Sequence, residues 1–159
     1  MIRIGIGYDA HQLKVGERLI IGGVQISSDV GSVGHSDGDA LSHAIVDALL
    51  GAAGLGDIGK YFPSHDNTWK GAQSRLFLID AIARITEKGY KINNVDTTII
   101  LQAPKIEKHI PEIKKVLSKI MSLDETNINI KATTTDGLGI IGEGLGWASM
   151  SIVSLIRIT

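Results

Sequence analysis

The chain has no cysteine. Disulfides and thiolate-ligated metal sites are therefore excluded, and any transition-metal site has to be assembled from histidine and carboxylate ligands. A charge excess of one sign is also missing, since 16 Lys and Arg stand against 17 Asp and Glu for a formal net charge of -1. Without a net positive field to gather phosphate backbones, no nucleic-acid partner is expected. No apolar run of signal-peptide or membrane-spanning length occurs, so no membrane association and a cytoplasmic protein without a leader segment are expected. Proline is scarce, with three residues against 19 glycines. The glycines cluster between Gly51 and Gly59 and between Gly137 and Gly146, where backbone can come close to a ligand.

What is present points to one folded unit. With 159 residues, 43% hydrophobic and 21% charged, the chain is large enough to bury a core without staples, and a single domain over residues 1–159 is expected. Ile2, Ile4 and Ile6 recur with period two, predicting a strand from about Ile2 to Tyr8 whose isoleucines enter the core. Leu19 to Ile21 and Val24 to Ile26 flank Gly22-Gly23, a hairpin signal. Leu41, Ala44, Ile45, Ala48 and Leu49 mark a helix from Asp37 to about Gly51, with Ser36 and Asp39 resembling a capping box. A second helix is predicted over Ala72 to Lys88, ended by Gly89. A strand over Asn94 to Leu101 and a third helix opened by Pro111 follow. Alternation predicts closing strands over Asn127 to Ala132 and Trp147 to Ile158. The order implies an α/β (α+β) fold in which helices cover one face of a mixed sheet. The other face then needs a cover, which oligomerisation would supply.

Asp9 and His11 are two apart at a strand end, so their side chains leave one face and can meet at an ion. Spacing alone suits a surface carboxylate beside a hydrogen-bonded histidine better. His43 lies on the first helix with Asp39 and Asp47 four residues to either side, a polar stripe that is either solvated or partnered. Two histidines and a carboxylate would leave an open position on zinc, with Asp47 available to orient a ligand. His35-Ser36-Asp37-Gly38-Asp39 precedes that helix and reads either as an anion loop or as a helix cap. Asp57, Gly59, Phe62 and Asp66 lie in a loop that either lines a pocket or is solvated. Thr133-Thr134-Thr135-Asp136 offers hydroxyls and turn N–H groups for a diphosphate and a carboxylate for magnesium, unless it is a plain strand end. Gly137-x-Gly139-x-x-Gly142 matches the dinucleotide fingerprint formally, but no acidic ribose ligand follows, and a nicotinamide site is not expected.

These segments together resemble the 2-C-methyl-D-erythritol 2,4-cyclodiphosphate synthase family. The resemblance rests on Ser36-Asp37-Gly38-Asp39-Ala40-Leu41-Ser42-His43-Ala44, Asp47-Ala48-Leu49-Leu50-Gly51, Gly56-Asp57-Ile58-Gly59-Lys60, Gln102-Ala103-Pro104-Lys105 and Lys131-Ala132-Thr133-Thr134-Thr135. It implies intramolecular attack of a 2-phosphate on the β-phosphorus of a cytidylyl substrate, with release of CMP. It further implies zinc, or another divalent transition metal, on Asp9, His11 and His43, and magnesium or manganese near Asp136. His35 and Thr134 take the place of the family's transition-state stabilisers. Ser36, Asp57, Ile58, Gly59, Phe62 and Asp66 fall at the methylerythritol pocket. Leu101, Ala103, Pro104, Lys105, Ile106 and Glu107 fall at the cytidine pocket, and Thr133 and Thr135 at the phosphates. A homotrimer with active sites between neighbours is implied as well. Two departures stand out: Asp136 where a glutamate is usual, and Glu143 where many members carry an arginine near the threefold axis. The second implies that no isoprenoid diphosphate is held there, because three carboxylates would repel it.

Overall fold

The computed structural model describes residues 1–158. In chain order its elements are β1 (Ile2–Val15), β2 (Leu19–Ile21), β3 (Val24–Ile26), β4 (Val30–Val33), α1 (Ala40–Ala53), α2 (Ile58–Tyr61), α3 (Ser74–Glu87), β5 (Tyr90–Ile100), α4 (Ile110–Met121), β6 (Ile128–Thr133), α5 (Gly139–Gly142) and β7 (Gly146–Arg157). Among the described residues the main sheet has the order β4-β1-β7-β5-β6, with β2 and β3 as a separate hairpin. β5 and β6 run parallel, and the other neighbours antiparallel, so the sheet is mixed, as the element order implied. No helix is long and apolar enough to cross a membrane among the described residues.

Each helix is anchored by local chemistry that the sequence carries. α1 ends on Gly54, whose φ of 71° places its N–H on the Leu50 and Gly51 carbonyls, a left-handed cap that glycine adopts without strain. Asp39, not Ser36, caps its start: the Asp39 carboxylate accepts from Ser42 N at 3.0 Å. That carboxylate also accepts from Gly22 N at 2.9 Å and Gly23 N at 2.8 Å, clamping the β2–β3 turn to the helix. α4 buries Ile113, Leu117 and Met121, one stripe at four-residue spacing. α1 lies across β1 and β7 and packs on α3, while α4 packs over β6.

β1 overturns one expectation. Ile2, Ile4 and Ile6 do not enter this core; they are 64%, 70% and 63% exposed and stand on the face away from the helices. The residues turned inward are Gly5 and Gly7, which are buried. A Cβ on Gly7 would land on the Ala44 carbonyl oxygen, and one on Gly5 on the Ala48 carbonyl oxygen. α1 thus rests on a strand stripped of side chains, at a distance no other residue permits. Alternation placed the isoleucines on one face correctly but could not tell which face the helix covers. Replacing Gly7 by Ala is expected to cost about 3 kcal/mol, the upper end of overpacking costs because the obstacle is backbone. Calorimetry would read this as a fall in Tm of roughly 6–12 °C.

Candidate metal centre

The close seating of α1 on β1 brings His43, next to Ala44, against the inward residues of β1. Asp9 and His11 share the inward face with Gly5 and Gly7, in the middle of a strand that runs on to Val15 rather than at its end. Asp9 Oδ2 lies 2.8 Å from His11 Nε2 and 3.0 Å from His43 Nδ1. The two ring nitrogens are 3.3 Å apart. Among the described residues, Asp9, His11 and His43 are the group of acids and histidines whose ligand atoms converge in this way.

The donor set fits a divalent ion. Ligands at 2.0–2.1 Å from a tetrahedral zinc lie roughly 3.3 Å from one another, so the observed triangle needs to open by only a few tenths of an ångström. The far sides of both rings fix the tautomers. His11 Nδ1 donates to the Val33 carbonyl at 3.1 Å, which leaves Nε2 facing the site. His43 Nε2 donates to Ser74 Oγ at 2.8 Å and approaches Ser36 Oγ at 3.2 Å, which leaves Nδ1 facing the site. Ser74 in turn donates its hydroxyl to Asp37 Oδ1 and its backbone N–H to Asp37 Oδ2 at 2.8 Å. Such outer contacts hold a ligating ring in place and raise its basicity.

Electrostatics follow from this packing. Burial alone would raise the Asp9 carboxyl, but hydrogen bonds and charge from His11 and His43 outweigh it and hold the pKa at about 2. Burial would likewise lower His11, and the Asp9 carboxylate with the Val33 carbonyl reverses this and raises it. In the metal-free protein the Asp9 contribution is complete above the ordinary carboxylate range and is lost as pH falls through about 2. The His11 contribution is complete below the ordinary histidine value and is lost as pH rises through its raised one. A metal needs His11 neutral, so affinity runs the other way. Below the raised His11 pKa, Co2+ affinity should climb by about tenfold per pH unit as one proton is released, a slope that titration calorimetry at several pH values would measure.

The other sequence-predicted residues fall into two groups. Around the metal residues, His35 Nε2 donates to the Asp66 carbonyl at 2.9 Å. Asp57 caps α2 by accepting from Lys60 N at 3.0 Å, with Ile58 and Gly59 in that turn. Phe62 stacks 4.4 Å from Phe77, which lies 5.8 Å from His43. Asp47 does not orient a metal ligand: it accepts from Ile58 N at 2.7 Å and holds the start of α2. Its carboxyl is raised by burial, against that hydrogen bond.

The second group gathers at the far edge of the sheet. Leu101 N donates to the Thr133 carbonyl at 3.0 Å, and Gly137 N reaches Gln102 Oε1 at 3.4 Å, so the segment carrying Ala103, Pro104, Lys105, Ile106 and Glu107 borders Thr133 to Gly137. Thr134 and Asp136 hydrogen-bond each other, and Thr135 Oγ1 donates to the Leu138 carbonyl at 2.7 Å. Ala10 pairs with Ala148, Ala148 with Ile100, and Ile100 with Thr133. Thr133 therefore stands three strand spacings from Ala10, about 14 Å, while Thr135 further along the turn lines one cavity with Ala10 and His11. Sequence reasoning missed Ser74 as a partner of His43. A serine opening a helix reads as a cap, and nothing in periodicity ties it to a residue 31 positions earlier.

Comparison with known proteins finds similar sequences and similar folds. A family model described as the YgbB family matches residues 2–156. A 2-C-methyl-D-erythritol 2,4-cyclodiphosphate synthase of Clostridium acetobutylicum is 54% identical over 155 residues, covering 98% of this chain and 100% of that one. The solved IspF of Plasmodium falciparum in complex with CDP superimposes with a TM-score of 0.88 at 40% identity, covering 99% of this chain and 97% of that one. The bifunctional IspDF from Campylobacter jejuni gives a TM-score of 0.96 at 40% identity over 99% of this chain, which spans 43% of that longer protein.

Proposed function

We infer what the chain does from one premise: it belongs to the YgbB family, the 2-C-methyl-D-erythritol 2,4-cyclodiphosphate synthases. It is a cyclising phosphorus–oxygen lyase of the non-mevalonate route to isoprenoid precursors. It converts 4-diphosphocytidyl-2-C-methyl-D-erythritol 2-phosphate to 2-C-methyl-D-erythritol 2,4-cyclodiphosphate. A 2-phosphate oxygen bonds to the β-phosphorus, the bond from that phosphorus to the bridging oxygen breaks, and CMP leaves. Little covalent help is needed for such a transfer, so positioning and charge neutralisation dominate.

The convergence of Asp9, His11 and His43 carries the site assignment. These three hold the transition metal, which we take to be zinc. Bound there, zinc supplies Lewis-acid polarisation of a phosphate oxygen. The chain's own residues do the rest. His35 and Thr134 donate to the oxygens on which charge builds. Ser36, Asp57, Ile58, Gly59, Phe62 and Asp66 hold the methylerythritol part. Thr133 and Thr135 hold the phosphates, the backbone and side chains from Leu101 to Glu107 hold the cytidine, and Asp136 binds magnesium with the diphosphate. The CDP complex of the Plasmodium falciparum relative supports a nucleotide pocket on this scaffold.

Thr133 and the segment it borders lie about 14 Å of sheet from the metal residues, too far for one diphosphate to touch both. We therefore place the complete site between two copies, the metal residues from one and the threonine turn from its neighbour, in a cytoplasmic homotrimer. The exposed isoleucine face of β1 is the surface such an assembly would bury. Incubating the protein with substrate and magnesium, with and without chelation of the transition metal, tests the whole reading by phosphorus NMR. Metal-dependent cyclic diphosphate with stoichiometric CMP is the expected result. A linear bisphosphate would show a hydrolase instead.

A further inference from the structure

Behind the metal centre, on the outer surface, lies a groove of about 690 Å³. It opens between the β2–β3 hairpin, the start of α3 and the last turns of α4. That volume lies within the range of small-molecule sites. Its charge is out of character for a chain with a net charge of -1. Arg18 from the segment before β2, Arg75 from α3 and Lys119 from α4 converge on it. Among the described residues none of these three cations is ion-paired. The lining between them is mixed: Gln25 and Gln73 are polar, while Ile20, Val116, Ile79 on α3 and Ile120 on α4 form an apolar part, and Ile79 is 46% exposed.

Three cations from three separate elements beside a partly apolar wall match one ligand chemistry. Guanidinium groups bind phosphate oxygens with directed, charge-assisted hydrogen bonds, and the isoleucines need hydrocarbon to cover them. The acid in the groove, Asp37, offsets one of the three cations, which leaves the lining net positive; its oxygens accept from Ser74 O–H, Ser74 N–H and Asp39 N–H. Asp37 also gives the groove a route inward. Arg75 follows Ser74 directly, and Ser74 Oγ is the group that holds His43 Nε2 at 2.8 Å.

We propose that this groove is an effector site for a small soluble organic phosphate with an apolar body, whose occupancy is transmitted through Arg75 and Ser74 to His43. The binding half stands on the groove alone, while the coupling half rests on the metal assignment above.

The test uses the full chain and three probes in titration calorimetry: n-octyl phosphate below its micelle concentration, inorganic pyrophosphate, and n-octyl glucoside. Saturable binding of octyl phosphate is expected, with pyrophosphate weaker by about tenfold or more and the neutral glucoside silent. The double variant Arg18→Gln/Arg75→Gln should lose octyl phosphate binding by about tenfold or more while keeping its Tm. Asp9→Asn should retain saturable octyl phosphate binding, which separates the groove from any phosphate bound at the metal. Undiminished binding in the double variant would overturn the proposal. So would co-sedimentation with phosphatidylglycerol vesicles in place of saturable binding, since that would assign the cations to a lipid surface. For the coupling, the visible spectrum of the Co2+-loaded protein should shift on adding octyl phosphate, and Ser74→Ala should abolish the shift. Saturable binding with no spectral change in the wild-type chain would refute the coupling and leave the binding site standing.

Discussion

Asp9→Asn is expected to lower turnover by about a thousandfold or more, because it removes the one anionic ligand from a site with two neutral imidazoles and weakens metal retention. The amide keeps the shape of the carboxylate but offers no charge to either ring. Metal content measured by mass spectrometry should fall from about one per chain to a small fraction of that. The loss is not a folding defect. The metal-free chain forfeits the contribution set by a carboxyl held at about 2, roughly 2 kcal/mol at neutral pH, so its Tm falls modestly and its circular dichroism does not change. His43→Ala should reproduce the loss of metal and turnover through a different ligand. Full activity of either variant with less than one metal per chain would sink the assignment.

Charging the outer face of β1 should be nearly as damaging, by a different route. Ile4 and Ile6 are 70% and 63% exposed, and Met150 and Ile152 of β7 continue the patch at 40% and 44%. Contiguous apolar surface of this kind is normally covered. The double variant Ile4→Asp/Ile6→Asp is expected to sediment as a monomer, to keep its secondary structure, and to lose activity by about a hundredfold or more. Activity should be lost even though neither residue lies near the metal ligands' face, since the threonine turn of a neighbour would no longer reach the diphosphate. A monomeric variant with wild-type turnover would show that one copy completes the site alone.

Much of this was legible in the sequence, and the failures have physical causes. Spacing alone favoured a surface pair for Asp9 and His11, and it was the resemblance that joined them to His43, whose ligand atom the structure brings next to theirs. His43 was readable because a histidine on an apolar helix is out of place. The wrong face of β1 came from the assumption that isoleucine marks the core. Here α1 sits so near the strand that the inward side can carry only Gly5 and Gly7, and the apolar side chains are left for another surface. β4 escaped notice because Val30–Val33 is four residues long and half of them are glycine and serine. Ser36 was mistaken for the cap because the helix begins later than expected: Gly38 turns the chain at a φ of 71°, Asp39 caps, and Ala40 is the first helical residue. The links from His43 to Ser74 and from Ser74 to Asp37 span 31 and 37 residues. Periodicity reports neighbours along an element, and contacts across that distance leave no trace in it.

β1 puts its two jobs on alternate residues. Ile4, Ile6 and Tyr8 turn outward, while Asp9 and His11, on the same unbroken backbone, turn inward. Nothing softer than a peptide unit separates a contact with another copy from a contact with a metal. In the proposed metal-loaded assembly, coupling between these two equilibria is reciprocal. Whatever factor association contributes to metal affinity, metal contributes to association, so the dissociation concentration of the assembly becomes a gauge of its metal load.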